Sequence, residues 1–147
     1  MTLSPIILFV YNRPEHVQKC ITSLLANDLA KESDLYIYSD APKNEEAQEA
    51  VMQVREYIHT IRGFQNITIV ERERNWGLAN SIIDGVTNLT QKYGKVIVLE
   101  DDLVVAPYFL QFMNDALEIY KDEPRVGHIQ ACDFTQDATL PDTFLIK

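Results

Sequence analysis

Apolar residues in this chain fall into two alternating kinds of segment. The first kind is a short, nearly unbroken run: Ile6-Ile7-Leu8-Phe9-Val10, Leu35-Tyr36-Ile37-Tyr38-Ser39, Ile67-Thr68-Ile69-Val70 and Val96-Ile97-Val98-Leu99. All four read as strands; Ile6 to Val10 reads as a buried one, and Val96-Ile97-Val98-Leu99, with no polar alternation, as one buried on both faces. The second kind repeats at helical spacing. Val17, Cys20, Ile21, Leu24 and Leu25 share one face of a helix over His16 to Ala26. Ala47, Ala50, Val51, Val54, Tyr57, Ile58 and Ile61 do so over Glu45 to Ile61. A third helix opens at Gly77 and runs to about Tyr93. A fourth spans Pro107 to Tyr120 with Phe109, Phe112, Met113, Ala116, Leu117 and Tyr120 on one face. Val126 to Ala131 reads as a fifth strand. Pro14 suits a first helical turn, while Arg62-Gly63 and Gly94 suit helix ends.

Strands alternating with helices predict an α/β fold, a mostly parallel sheet flanked by helices on both faces. The chain, 147 residues long, carries no internal repeat, low-complexity segment or long linker, so it reads as a single domain over 1–147. Asp133 to Lys147 has weak periodicity and ends on the strand-like Phe144-Leu145-Ile146-Lys147. The expectation is a chain that stops inside a larger, C-terminally incomplete fold.

Hydrophobic residues make up 46% and charged residues 24%, which is ordinary for a globular protein. A net charge of -9 argues against nucleic acid or an anionic membrane as the main partner. It leaves a nucleotide possible, because a bound divalent ion reverses the local field. Cys20 and Cys132 lie in apolar surroundings without metal-site spacing, so both read as buried free thiols of a reducing compartment. The apolar stretch at Pro5–Tyr11 is short and lacks a preceding basic region, and no run approaches transmembrane length. A cytoplasmic location is expected, free or peripheral to a membrane.

The candidate chemistry lies just after the strands, at the rim where open α/β sheets bind ligands. Glu100-Asp101-Asp102 follows the fourth run directly. Packed like charges need a cation, a proton or a basic partner, and oxygen-only ligands suit Mg²⁺ or Mn²⁺. The first run is followed by Tyr11, Asn12 and Arg13, and Arg13 can grip a phosphate bidentately or pair with a rim acid. The second ends at Asp40, a carboxylate able to accept from a base N–H or a ribose hydroxyl, or simply to shape a turn. The third leads to Asn75, Trp76, Gly77 and Asn80, where Gly77 permits close backbone approach and the helix start favours an anion. No phosphate-loop, dinucleotide-binding or nucleophile-elbow motif is present, and His16, His59 and His128 have no ligand spacing.

In this order, these residues resemble the GT-A glycosyltransferases, over Pro5–Ala131. Glu100-Asp101-Asp102-Leu103-Val104-Val105-Ala106-Pro107 is similar to the metal-binding segment of N-acetylglucosaminyltransferase I, and Asn75-Trp76-Gly77 with Asn80 to a segment of glycosyltransferase family 2. The resemblance implies a Rossmann-like, nucleotide-sugar-binding half, a UDP-linked donor, a sugar-containing acceptor and a Mn²⁺ or Mg²⁺ ion. It implies that Asp102 is the ion's main protein ligand and that Glu100 and Asp101 lie near the donor sugar and ribose. Arg13 and Asp40 would hold the nucleotide. It also implies inversion at the anomeric carbon, with the base and acceptor pocket downstream of the metal motif and this chain alone a poor catalyst. The rival readings are a nucleotidyltransferase of similar fold and a non-catalytic nucleotide-binding domain.

Overall fold

The computed structural model describes residues 2–131. Strands β1 (Ile6–Val10), β2 (Asp34–Ser39), β3 (Asn66–Glu71) and β4 (Ile97–Glu100) form one parallel sheet in the order β3-β2-β1-β4. Between them run the helices α1 (Pro14–Leu25), α2 (Gln48–Thr60) and α3 (Leu78–Tyr93), and α4 (Phe109–Ile119) follows β4. The chain builds outward from β1 to β3 and then returns to the other side of β1. That reversal makes the gap between β1 and β4 the topological switch point, where parallel sheets present a crevice at their carboxyl ends.

Period-2 alternation distributes the first run between two cores. Ile6, Leu8 and Val10 pack with Leu35, Ile37, Ile97 and Leu99 against α1, α2 and α4. Ile7 and Phe9 pack on the opposite face with Tyr38 and Leu89, against α3. α1 therefore starts where Pro14 sets the first turn, and its buried stripe is Val17, Cys20, Ile21 and Leu24. Gly94, at φ +77°, ends α3 in the left-handed conformation that glycine takes without a Cβ penalty. The opening of the second predicted helix is a 3-10 turn, Glu45–Ala47, capped by the Asn44 side chain, before α2 begins.

Two expectations are corrected. The fourth run is not buried on both faces, because β4 is the sheet's edge among the described residues and α3 covers the middle of that face; Val98 is 40% exposed. Residues 126–131 form no strand. A strand needs a neighbour's backbone to pair with, and this segment instead turns through Val126 N–H donating to the Glu123 carbonyl and rests Ile129 on the core. Cys132 and the strand-like end at Phe144 lie outside the described residues.

Candidate functional site

The loops leaving the carboxyl ends of the four strands carry two clusters. The first brackets the switch point. Arg13, just after β1, is paired with Asp101 and with Asp102, the latter at 3.5 Å. The Asp101 side chain is 4% exposed, whereas those of Arg13 and Asp102 are 44% and 46% exposed. The hydrogen bond that Arg13 donates to Asp101, helped by the attraction of both carboxylates, holds the guanidinium above its ordinary pKa against the cost of burial. The segment that follows the acidic turn is fastened to the end of α1 and the residues just after it. Val105 N–H donates to Ser23 Oγ at 3.1 Å, and Leu110 N–H to Asn27 Oδ1 at 2.9 Å.

The triplet does not converge as a three-carboxylate nest. Glu100 belongs to β4 and is half-buried, and among the described residues no group of three His, Cys, Asp or Glu side chains is disposed to hold a metal ion. The cation that relieves the repulsion of Asp101 and Asp102 is the chain's own Arg13. Cys20 lies beneath, its thiol 3.8 Å from the Glu100 carbonyl oxygen. Burial, with the nearby Asp101 and Asp102 charges, pushes that thiol up to about 12.

The second cluster joins the ends of β2 and β3. Asp40 is buried, and its two carboxylate oxygens accept from four donors. Ala41 N–H and Trp76 N–H reach Oδ1 at 2.9 Å, Gly77 N–H reaches Oδ2 at 2.9 Å, and Asn75 Nδ2 reaches Oδ2 at 3.2 Å. An ionised carboxylate has about four lone-pair sites, so these donors fill it. The bond from Gly77 N–H sets the Asp40 carboxylate at the start of α3. Asn75 does not cap α3; it bridges Asp40 and the Ala41 carbonyl, at 2.8 Å. Asn80 also turns inward on its own loop, donating to the Trp76 carbonyl at 2.9 Å. Tyr11 accepts from Lys43 N–H at 3.0 Å, and Asn12 is half-buried beside it.

Two arginines that the sequence reading passed over organise this second cluster. Arg55 on α2 donates to Ser39 Oγ at 3.2 Å, to the Arg72 carbonyl at 2.8 Å and to the Asp40 carbonyl at 3.4 Å, and pairs with Glu71 at 3.4 Å. It thereby fastens the ends of β2 and β3 together. Its signal was a charged residue one turn after Val51, on the flank of the apolar stripe. Arg72 pairs with Asp84 on α3 and lays its guanidinium 3.8 Å from the centre of the Trp76 ring, with Tyr38 at 5.1 Å. No local spacing announces that stack. No helix among the described residues is long and apolar enough to cross a membrane.

The sequence model described as Glycosyl transferase family 2 matches residues 6–142. Among solved structures the chain is similar to TarS of S. aureus, with a TM-score of 0.58 and 16% identity, covering 81% of this chain and 20% of that one. It is also similar to the mannosyltransferase PcManGT from Pyrobaculum calidifontis, solved in complex with GDP-Man and Mn²⁺, with a TM-score of 0.45 and 14% identity over 67% of this chain and 27% of that one. No curated protein matches the chain. The chain thus spans about a fifth of the length of TarS. With the family match, that likeness gives the fold as GT-A. The resemblance to N-acetylglucosaminyltransferase I rests on the acidic motif alone.

Proposed function

We propose that this chain, which belongs to glycosyl transferase family 2, is a single donor-binding domain that holds a nucleotide-linked sugar at the β1–β4 switch point for transfer to a sugar-containing acceptor. The observation that supports this is the meeting of Arg13 with Asp101 and Asp102 at that point. An exposed base and an exposed acid stand side by side over a buried acid, where the topology leaves a crevice. UDP is the carrier that the motif resemblance implies.

Arg13 has five N–H donors and spends few of them on the two carboxylates. The rest, on a half-exposed guanidinium, have no partner among the described residues and suit diphosphate oxygens. Asp101 is too buried and too firmly paired to leave; its part is to orient Arg13. Asp102 is the opposite case. Mg²⁺ and Mn²⁺ usually take one or two protein carboxylates and complete their shell with phosphate oxygens and water. A half-exposed carboxylate held only at 3.5 Å fits that demand. We assign Asp102 as the protein ligand of such an ion, with Glu100 and Asp101 flanking the sugar and ribose. When bound, the ion supplies neutralisation of the charge that grows on the departing diphosphate. Tyr11 and Asn12, beside Arg13, would face the nucleotide, as would the wall built by Asn75, Gly77 and Asn80. In the transfer, an acceptor hydroxyl would bond to the anomeric carbon as the bond from that carbon to the diphosphate oxygen breaks, the electron pair leaving with the diphosphate and the hydroxyl proton passing to a general base.

The test is a calorimetric comparison of a UDP-sugar with UTP, each with Mn²⁺. Preference for the UDP-sugar is the expected result. Preference for UTP would favour nucleotidyl transfer instead, and binding of neither would remove the donor-site reading.

A further inference from the structure

We propose that Ser23 and Asn27 are positioning residues for the acidic turn: through them α1, which follows directly on Arg13, also sets where Asp102 stands. As far as a metal ion and a nucleotide are concerned, this rests on the donor-binding reading above. The contacts ascend together along the two segments. Arg13 meets Asp101 and Asp102. The Cys20 thiol lies 3.8 Å from the Glu100 carbonyl oxygen. Ser23 Oγ accepts from Val105 N–H at 3.1 Å. Asn27 Nδ2 donates to the Ala106 carbonyl at 3.2 Å, and Asn27 Oδ1 accepts from Leu110 N–H at 2.9 Å. One helix and the residues just after it therefore follow the chain from the end of β4 to the first turn of α4. The two aspartates lie between the points so fastened.

Asn27 is buried and spends its whole amide on this task. Its second Nδ2 bond goes to the Ser23 carbonyl at 3.0 Å, which ties the two residues together. Asn27 precedes the 3-10 turn Asp28–Glu32, yet its side chain makes no cap bond to that turn. It serves α4 instead. The residue before α4, Tyr108, makes no side-chain cap bond, and the first turn carries no acid. The early N–H groups of a helix need acceptors, and Asn27 supplies one from a distant part of the chain. Capping does not account for the rest, because Val105 and Ala106 precede the helix. Ser23 is equally committed: its hydroxyl donates to the Cys20 carbonyl at 2.8 Å, which leaves its oxygen to accept from Val105. Asp102 needs this support. Its half-exposed carboxylate is held only by Arg13, at 3.5 Å, so the backbone on either side decides where it stands. Leu103 N–H on the Glu100 carbonyl, at 3.2 Å, closes the turn on one side, and Ser23 and Asn27 hold the other.

The experiment titrates UDP by calorimetry into wild type, Ser23→Ala, Asp102→Ala and the double variant, each in Mn²⁺ and in EDTA. Amide exchange at Val105 is followed by NMR in the free protein. In Ser23→Ala the Val105 amide should exchange faster. The ratio of UDP affinity in Mn²⁺ to that in EDTA should fall by roughly ten-fold, the lower end of what groups that orient a metal ligand contribute. The affinity in EDTA should stay as it is, and the double variant should behave as Asp102→Ala alone. A loosened Val105 amide with an unchanged ratio would overturn the proposal, because that pattern belongs to a merely structural bond. An equal loss in Mn²⁺ and in EDTA, or an unchanged Val105 amide, would overturn it too. Should Ser23→Ala fail to fold, Asn27→Asp is read in the same way. It keeps an acceptor for Leu110 N–H and loses the donor to Ala106, so α4 stays capped while the fastening before it is cut. If wild type binds UDP equally in both media, or in neither, the donor-site reading has failed in its metal or in its nucleotide. The amide signals of Asp101 and Asp102 in the free protein then decide the positioning: displaced in the variant they support it, and unmoved they remove it.

Discussion

Arg13 and Asp101 form an ion pair whose acidic side chain is 4% exposed and whose basic side chain is 44% exposed. The two are far apart in sequence and meet because β1 and β4 are neighbours. Removing the arginine would leave a buried carboxylate without its charged partner. Arg13→Ala is therefore expected to cost about 1.5–3 kcal/mol, read from urea unfolding. Arg13→Ala with Asp101→Asn should cost less than the sum of the two single changes, since the orphaned charge is gone. A loss below about 0.5 kcal/mol for Arg13→Ala would mark the pair as an ordinary surface contact.

Asp102 is predicted to separate binding from stability. Its side chain is 46% exposed and weakly paired, so Asp102→Ala should change the unfolding free energy by no more than about 0.5 kcal/mol. UDP should bind wild type more tightly in Mn²⁺ than in EDTA, and the variant should bind equally in both. Titration calorimetry supplies all four affinities. A metal effect that survives in Asp102→Ala would assign the ion to other ligands.

Gly85 marks the closest approach of α3 to the sheet. A Cβ there would lie 2.6 Å from Ile7 Cδ1 and 3.0 Å from the Phe9 ring. Overpacking a tight core costs about 1–3 kcal/mol, and the helix gain of Gly→Ala returns about 1 kcal/mol. Gly85→Ala should therefore destabilise by about 1 kcal/mol in chemical denaturation. Adding Ile7→Val, which deletes the colliding methyl, should recover part of the loss. A stabilised Gly85→Ala protein would show that α3 sits farther from β1 than the structure has it.

Cys20 leads to a prediction about alkali. Its thiol keeps its proton to about 12 in the folded chain, against an ordinary value of 9.0, first because it is buried. Above pH 9 the unfolded chain loses that proton while the folded chain retains it, so stability should fall as pH rises from 9 to 12. Tyr57, also raised by burial, acts in the same direction. Urea midpoints across this range check the slope, which Cys20→Ala should flatten. Iodoacetamide at pH 8 should leave Cys20 unmodified in the native protein and modify it in urea, as peptide mass spectrometry would show. Prompt native modification would contradict the burial.

The elements themselves were legible along the chain because each is decided by near neighbours. The run Ile6 to Val10 contains no polar break, Pro14 starts α1, and Gly94 stops α3, so period and punctuation suffice. The location of the candidate site was legible for a related reason. Parallel strands deliver whatever follows them to a single rim, so Arg13, Asp40 and Asp102 were bound to share an edge.

What those residues do to one another was decided only in three dimensions. The sequence shows three adjacent acids but not that Arg13 answers two of them. It shows a lone Asp40 but not the four donors that fill it, of which three come from Asn75, Trp76 and Gly77. It shows Arg55 as a polar position on a helix, not as the group that fastens the ends of β2 and β3. Val98 reads as buried, and the segment 126–131 as a strand, because period alone says nothing about where a sheet ends or whether a partner edge is free. Hydrophobic period is a property of neighbours along the chain, which the sequence determines directly. Charge pairing, hydrogen-bond saturation and the identity of an edge strand depend on which distant segments meet, and that is settled only when the packed sheet and its helices bring them within a few ångströms.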